Sequence, residues 1–520
     1  MPLSVLARHG ALGPVLVLAA VFDLVAIGWG LPASWAPDEL GPRDLVVAMA
    51  MRFSDGWSHA YPPLQFWLLS ALSWPVTASA AETIEIGAPA YTTLSYVMRL
   101  TSVAMGLGSL GLVYAIGCEL YDRRAAVMAT LIVALSPTFI YYSKVANVDV
   151  PYVFWFVLSV WLFVRILARH RTRDYALFGA AAALAVCTKD QAYGLYVLAP
   201  FVIALSYSRD RRGVEPAAGV WASLVRGPML LAVGVGGLVF SVVHNLAFNP
   251  DGFIEHVRTL LGPRSSAYQM FPNTVTGHLQ LLWLSVGSLA FVLGWLPFGM
   301  CIAGLASAIW QRASNRRLLA TLVFPVSYYL FFVSVVLYQY DRFALPMALV
   351  LALFGGKALS ACLVRGAPLR WARVAAVAAL FVWRLLPGVA LDARMLNDAR
   401  YCAAAWVERN APAGAFIIGI GLHTDFPVLP AHSLATVDER NFDQIWRGEL
   451  VLTSSLFQED RFGGHRDAVE RFVALRSGRS QHQLAKVCEP MRGFDFLRTA
   501  GIPTNLDKID PEIRIYRRAP

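Results

Sequence analysis

Residues 35–64 read W-A-P-D-E-L-G-P-R-D-L-V-V-A-M-A-M-R-F-S-D-G-W-S-H-A-Y-P-P-L, the first sizeable polar stretch after an apolar start. They follow residues 11–31, an apolar run long enough to cross a bilayer, which takes about 20 helical residues. Asp38 and Glu39 therefore stand at a membrane edge, where a carboxylate must be solvated, paired or put to use because charge at membrane depth is costly. Asp is also favoured at helix N-caps and Glu in a first turn, so Asp38 is equally placed to cap an amphipathic helix beginning near Leu40. Capping and chemistry both stay open for this pair, and one carboxylate can do both.

Working outward, the 520 residues are 57% hydrophobic and 15% charged, with a mean hydropathy of +0.53. Soluble domains carry about 25% charged residues, so the chain reads as a polytopic α-helical membrane protein. The net charge of +10 comes from basic residues clustered in short groups between apolar runs. That is the pattern of cytoplasmic loops, and no nucleic-acid partner is expected. The first run is too long for a signal-peptide core and has no A-x-A-like site at its end, so it reads as an uncleaved first span. The six cysteines show neither a C-x-x-C pair nor a Cys/His cluster with metal-ligand spacing. Cys402 and Cys488 lie in the polar C-terminal part and would be able to pair as a disulfide if that part is outside the cytosol.

Further apolar runs cover residues 96–118, 125–142, 151–166, 175–188, 192–207, 228–246, 279–306, 318–337, 343–363 and 374–391. With the first run they give about eleven transmembrane helices, provided that residues 62–80, short and broken by Trp74-Pro75, lie along the interface without crossing. Loop charge supports the flat placement. It puts Arg123 and Arg124, Arg165 to Arg173, Arg209 to Arg226, Arg312 to Arg317 and Arg365 to Arg373 all on the cytoplasmic side. The loops bearing Asp38, Asp149, Lys189 and Arg342 then share the outer face, with residues 32–95 forming the first outer loop of a transmembrane domain over 1–391. From Asp392 the chain turns polar. Residues 392–520 read as a small extracytoplasmic α/β domain, with a helix over 401–410 and strands over 416–420, 450–453 and 513–516. Residues 248–278, rich in Pro, Asn and Gly, form a second outer element.

Three polar signals thus fall on one face: Pro37-Asp38-Glu39 with Tyr61-Pro62-Pro63; Ser143-Lys144-Val145-Ala146-Asn147-Val148-Asp149; and Thr188-Lys189-Asp190-Gln191. For the second, a helix cap at Asp149 ahead of Pro151 with Lys144 solvated at the interface competes with a site role. For the third, a self-neutralising turn competes.

The order P-D-E, Y-P-P-L, Arg99, S-K-V-A-N-V-D-V-P, C-T-K-D, F-I-E-H-V-R and Y-Q-Y-D-R-F-A-L-P resembles the GT-C membrane glycosyltransferases. Within them it is most similar to the protein O-mannosyltransferase and aminoarabinose lipid A transferase branch. Order and spacing over residues 16–363 carry the resemblance, since no single motif is specific. It implies a polyprenyl-phosphate-sugar donor and inverting transfer to a lipid, cell-wall glycan or protein hydroxyl at the outer face of the cytoplasmic membrane. Such a transfer needs a base for the acceptor proton and positive charge for the departing phosphate. On the family pattern Asp38 is the candidate general base or acceptor orienter, Glu39 its supporting neighbour and Asp149 the second acid. Lys189, Arg264 and Arg342, with Lys144 in reserve, are the candidate phosphate ligands. The lipid A branch tends to carry a Lys before the Pro pair, where this chain has His59-Ala60-Tyr61, so His59 is a candidate for part of that role. Trp57, Tyr61 and Tyr268 are candidates to stack on sugar or isoprenoid. Mg²⁺ or Mn²⁺ at Asp38 and Asp149 would suit hard carboxylate ligands, though nothing in the spacing demands a metal. The competing class is a transporter or lipid-linked sugar flippase, which would place charges or helix breaks near mid-membrane, often in two repeated halves.

Overall fold

The computed structural model describes residues 10–51, 61–79, 88–211, 219–262, 268–364, 369–412, 414–429, 432–437, 442–458, 465–493 and 501–519. Six helices among them are long and apolar enough to cross a bilayer, seven if one bent pair is counted as a single span. Three shorter apolar helices, Leu12–Leu24, Gly227–Val243 and Trp295–Trp310, pack with them. The chain is a multi-pass α-helical membrane protein. The 62–80 segment forms the helix Leu64–Ser79, whose 16 residues are shorter than a span.

Two apolar runs are reorganised by their backbones. Residues 125–142 split into Arg123–Ala134 and Pro137–Lys144, bent by 68°. Ser136 precedes a proline, adopts an extended conformation and caps the second helix by accepting from Phe139 N–H. Residues 279–306, expected as one span, are two helices, Val275–Leu293 and Trp295–Trp310, divided at Gly294. Gly294 has φ +80, where a side chain is strained, and a Cβ there would lie 2.5 Å from Nη1 of Arg384. Arg384, on the Arg370–Leu396 helix, donates from Nη2 to the Leu135 carbonyl at 3.1 Å. One guanidinium thus sits beside both breaks.

The polar C-terminal part contains a five-stranded sheet: β1 (Phe416–Ile420), β2 (Ser433–Val437), β3 (Leu450–Ser454), β4 (His482–Cys488) and β5 (Ile513–Arg518), in the order β2-β1-β3-β5-β4. β1 pairs in parallel with β2 and β3, while β5 runs antiparallel to β3 and β4. Alternate residues of the central strands face two cores. Ile417, Leu450, Leu452, Ile513 and Ile515 meet Ala399, Ala403 and Val407 of the helix Ala399–Asn410. Ile418, Ile420, Val451 and Tyr516 meet Ala468, Phe472 and Leu475 of the helix Arg466–Arg476. Burial on both faces is why β1 and β3 are continuous apolar runs. The disulfide Cys402–Cys488 joins the first of these helices to β4.

This part is seated on the helical bundle by polar contacts. Trp29 Nε1 donates to Asp398 Oδ2 and Trp35 Nε1 to the Phe426 carbonyl, each at 2.9 Å. The Arg400 guanidinium lies 4.2 Å from the Trp35 ring centroid. Near the C-terminus, Asn505 accepts from Tyr340 OH at 2.7 Å, and the Pro503 carbonyl accepts from Asp341 N–H at 3.0 Å.

Candidate active site

The first loop and the 143–149 turn are stitched together by their backbones. Leu40 N–H donates to the Ala146 carbonyl, and Ala146 N–H donates to Glu39 Oε1, both at 2.7 Å. Asp38 sits in the left-handed region, φ +59, which Asp tolerates better than most residues. Its carboxylate accepts from Arg342 Nη1 at 2.7 Å. The same Nη1 is 3.9 Å from Asp149 Oδ2, and the other Asp149 oxygen accepts from Lys189 Nζ at 2.5 Å. The Asp149 backbone is fixed by an Asx turn, its N–H donating to Asn147 Oδ1 at 3.0 Å. Lys189 follows the last turn of Thr172–Thr188 in an extended conformation.

Four residues from distant parts of the chain therefore form a row of alternating charge, Asp38, Arg342, Asp149, Lys189. Asp149 and Lys189 are buried, whereas the Asp38 side chain is 45% exposed. Both cations lie near aromatic faces. Lys189 is 5.7 Å from the centroids of Tyr152 and Phe343, and Arg342 is 4.9 Å from that of Tyr340. Arg342 Nε is buried with no partner among the described residues. Burial pushes the Asp38 carboxyl up, but the charge and hydrogen bond of Arg342, with Lys189 behind it, outweigh that and hold it below its ordinary value. Burial and the nearby carboxylates raise the Tyr61 hydroxyl, so it stays protonated beside Asp38. Tyr268 is exposed at the rim, 6.1 Å from the Tyr338 ring centroid.

The other expected residues go elsewhere. Glu39 is taken up by Arg99: Nε donates to Oε1 at 2.8 Å and Nη2 to Oε2 at 2.7 Å, with both side chains at most 2% exposed. Ser34 Oγ donates to it as well. With its oxygens occupied by these donors and Ala146 N–H, Glu39 is a structural tie, which corrects its placement among catalytic residues. Lys144 is corrected likewise. It pairs with Asp392, donates to the Val25 carbonyl at 3.1 Å and lies close to Asp23, so its charge is spent clamping three helices together. Trp57, His59 and Arg264 fall outside the described residues. Among the described residues no group of three or more His, Cys, Asp or Glu is placed to hold a metal ion, and Asp38 and Asp149 are each engaged by a cationic side chain.

Asp341, the acid of the Y-Q-Y-D-R motif, also bears on the site. Its carboxylate accepts from Thr504 Oγ1 and Arg342 N–H at 2.7 Å, and from Thr138 Oγ1 and Tyr142 OH at 3.3 Å. It anchors the backbone of Arg342 and ties it to the C-terminal part. Nothing near it in sequence could have revealed partners 163 to 203 positions away.

Residues 84–226 match the family model described as dolichyl-phosphate-mannose-protein mannosyltransferase. The apo structure of ArnT from Cupriavidus metallidurans superposes with a TM-score of 0.51 at 14% identity, covering 98% of both chains. The chain has a GT-C membrane fold. ArnT bound to undecaprenyl phosphate gives a TM-score of 0.48 at 14% identity over 98% of both chains. The Archaeoglobus fulgidus oligosaccharyltransferase AglB, solved with an inhibitory peptide and a dolichol-phosphate, gives 0.43 at 16% identity and covers 79% of this chain. The chain spans 62% of AglB's length. No curated protein sequence matches it.

Proposed function

We propose that this protein is a glycosyltransferase that moves one sugar from a polyprenyl-phosphate-linked donor to an acceptor hydroxyl on a lipid, glycan or protein. The observation that carries the reading is the row Asp38, Arg342, Asp149, Lys189. It offers a half-exposed carboxylate for the acceptor proton and two cations for a departing phosphate, at the end of the bundle where the C-terminal part sits.

In the absence of donor, Arg342 is held by Asp38. A donor phosphate competes for that guanidinium, whose buried Nε has no partner among the described residues. As Arg342 turns to the phosphate, Asp38 loses its counter-charge and becomes a stronger base at the moment it is needed. The acceptor oxygen then attacks the anomeric carbon, the bond to the phosphate oxygen breaks, and the acceptor proton passes to Asp38. Arg342 and Lys189 stabilise the polyprenyl phosphate that leaves. Asp149 holds Lys189 and positions both cations. Direct displacement of this kind inverts the anomeric centre.

We place the site on the outer face of the cytoplasmic membrane. The arginine-rich loops at the other end of the helices support this orientation. So does the Cys402–Cys488 disulfide, since such bonds persist in oxidising compartments. The reading is tested by offering purified full-length protein a panel of radiolabelled polyprenyl-phosphate sugars with membrane and cell-wall extracts. Labelled acceptor, with free polyprenyl phosphate as the second product, is expected. Transport is the second reading, favoured by the helix breaks beside Arg384. In that case intact donor would cross a vesicle bilayer and no acceptor would be labelled.

A further inference from the structure

The two helix breaks enclose a cavity of about 260 Å³ whose described lining includes no member of the charged row. Its walls are almost wholly apolar, with Phe291, Trp295, Trp383 and Pro387 among them, and Arg384 is the charged residue among its described lining. Trp295, Leu296 and Trp383 are 61–71% exposed on the outside of the bundle, so the cavity opens toward lipid. Arg384 lies eight residues before Asp392, about 12 Å along the helix. Leu135, which it contacts, is twelve residues beyond Arg123, about 18 Å from the arginine-rich end. The guanidinium is therefore well inside the hydrocarbon layer.

Arg384 is 7% exposed, and its Nε has no partner among the described residues. The Leu135 carbonyl accepts from one of five N–H donors. That contact suits a cation at a helix C-terminus but leaves most of the fork unused. Gly294, against which Nη1 lies, is also the N-cap of the 16-residue helix Trp295–Trp310, and no side chain caps that helix. Pro297 brings no N–H to its first turn. The positive end of a helix dipole and a buried guanidinium thus face one cavity, with no acidic side chain among its described lining residues. Two positive features held together at membrane depth call for an anion.

We propose that this cavity is a second lipid site, distinct from the Asp38 site, that takes a lipid phosphate on Arg384 and the N-terminus of Trp295–Trp310. A lipid is the class of ligand that can enter from the bilayer, and phosphate matches the fork of guanidinium donors. The phosphate belongs either to a bilayer phospholipid or to a polyprenyl phosphate. At the far side of the break, the helix Pro137–Lys144 carries Thr138 and Tyr142, which hold Asp341 beside Arg342. An occupied cavity would therefore brace the helix on which the Arg342 backbone depends.

The test uses delipidated full-length protein in neutral detergent, titrated with phosphatidic acid, phosphatidylglycerol, polyprenyl phosphate and uncharged diacylglycerol, with bound lipid counted by native mass spectrometry. Beyond the polyprenyl phosphate bound at Arg342 and Lys189, we expect one phosphate-dependent event that Arg384→Gln weakens at least tenfold, that Arg384→Lys largely keeps, and that Arg342→Gln leaves in place. Arg384-dependent binding confined to polyprenyl phosphate would make the occupant a carrier lipid, and Arg384-dependent binding of phosphatidic acid or phosphatidylglycerol would make it a bilayer phospholipid. Unchanged binding to Arg384→Gln, or equal binding of diacylglycerol, would overturn the proposal. Should Arg384→Gln fail to fold, a photoreactive lipid phosphate on the wild type decides, because labelling must fall on residues 290–297 or 380–387. None of these readouts needs sugar transfer, so failure here and failure of the transferase reading are separable.

Discussion

Asp38 and Glu39 are neighbours in sequence with separate work, and Glu39→Gln together with Arg99→Met separates them. The Glu39 carboxylate accepts two hydrogen bonds from Arg99 and one from Ala146 N–H, and Arg99 Nη1 also donates to the Ile27 and Trp29 carbonyls at 2.6 and 2.9 Å. Both side chains are essentially out of solvent. A glutamine keeps one acceptor oxygen, but it turns an NH₂ toward a donor and leaves the guanidinium without a counter-charge. Breaking one partner of a buried pair costs about 3–5 kcal/mol, and this pair also joins the first loop to the 143–149 turn. Glu39→Gln is therefore expected to lower unfolding stability by about that amount, and Arg99→Met to do the same. Combining them removes both charges, so the double variant should lose less than the sum, with a coupling of about 3 kcal/mol at the upper end of pairwise values. The assay is reversible denaturant unfolding of protein in mixed micelles, with donor binding measured on the folded fraction. If Glu39→Gln were as stable as wild type to within about 0.5 kcal/mol, the scale of an ordinary surface substitution, and yet lost transfer, Glu39 would be doing chemistry and the structural assignment would fail.

The two site-edge lysines should part company in the same way. Lys189→Met is expected to weaken binding of a polyprenyl phosphate at least tenfold, read by competition with labelled donor. Lys144→Met should leave that affinity alone while destabilising the fold by about 3–5 kcal/mol, because Asp392 and Asp23 lose their shared cation. For pH, Asp38 of the donor-free protein is held below the ordinary carboxylate range, so wild-type kcat/KM, which reports the free enzyme, should persist as pH falls until that lowered value is crossed. In Arg342→Gln the residual activity should fall away at a higher pH, because burial then acts without the opposing cation; an acid limb that did not move would refute the coupling. Replacing Cys402 and Cys488 by serine opens a loop of 86 residues. The loop-entropy relation gives about 4–5 kcal/mol for that closure, to be read as a lowered unfolding midpoint of the C-terminal part. An unmoved midpoint would show that the bond does not hold the domain.

Much of the site was legible because the chain is so apolar. Asp38, Asp149, Lys189 and Arg342 stood out as charges at the edges of long hydrophobic runs, and loop charge alone put them on one face. What could not be read was pairing. Lys144 and Lys189 occupy similar positions at span edges, and only the fold shows that one meets Asp392, 248 positions away, and the other Asp149. Glu39 adjoins Asp38, but the left-handed turn at Asp38 sends the two carboxylates to different partners. The break at Pro137 has a visible cause, whereas the one at Gly294 lies inside an unbroken apolar run and depends on a guanidinium ninety positions on. In the sheet, β1, β3 and β5 were readable as buried runs. β2 and β4 are edge strands, and β4, with the sequence H-Q-L-A-K-V-C, exposes its middle to solvent, so it lacks the apolar signal that marks a strand.

The central claim, that Asp38 takes the acceptor proton while Arg342 and Lys189 hold the phosphate, is tested most directly by single-turnover transfer with wild type beside Asp38→Asn. Donor binding is measured on the same preparations. A general base contributes about 10²- to 10⁴-fold, so the variant should transfer slower by that range. It should also bind donor at least as tightly as wild type, because Arg342 is released from its internal partner. An Asp38→Asn protein that is folded, binds donor and transfers sugar at the wild-type rate would contradict the account.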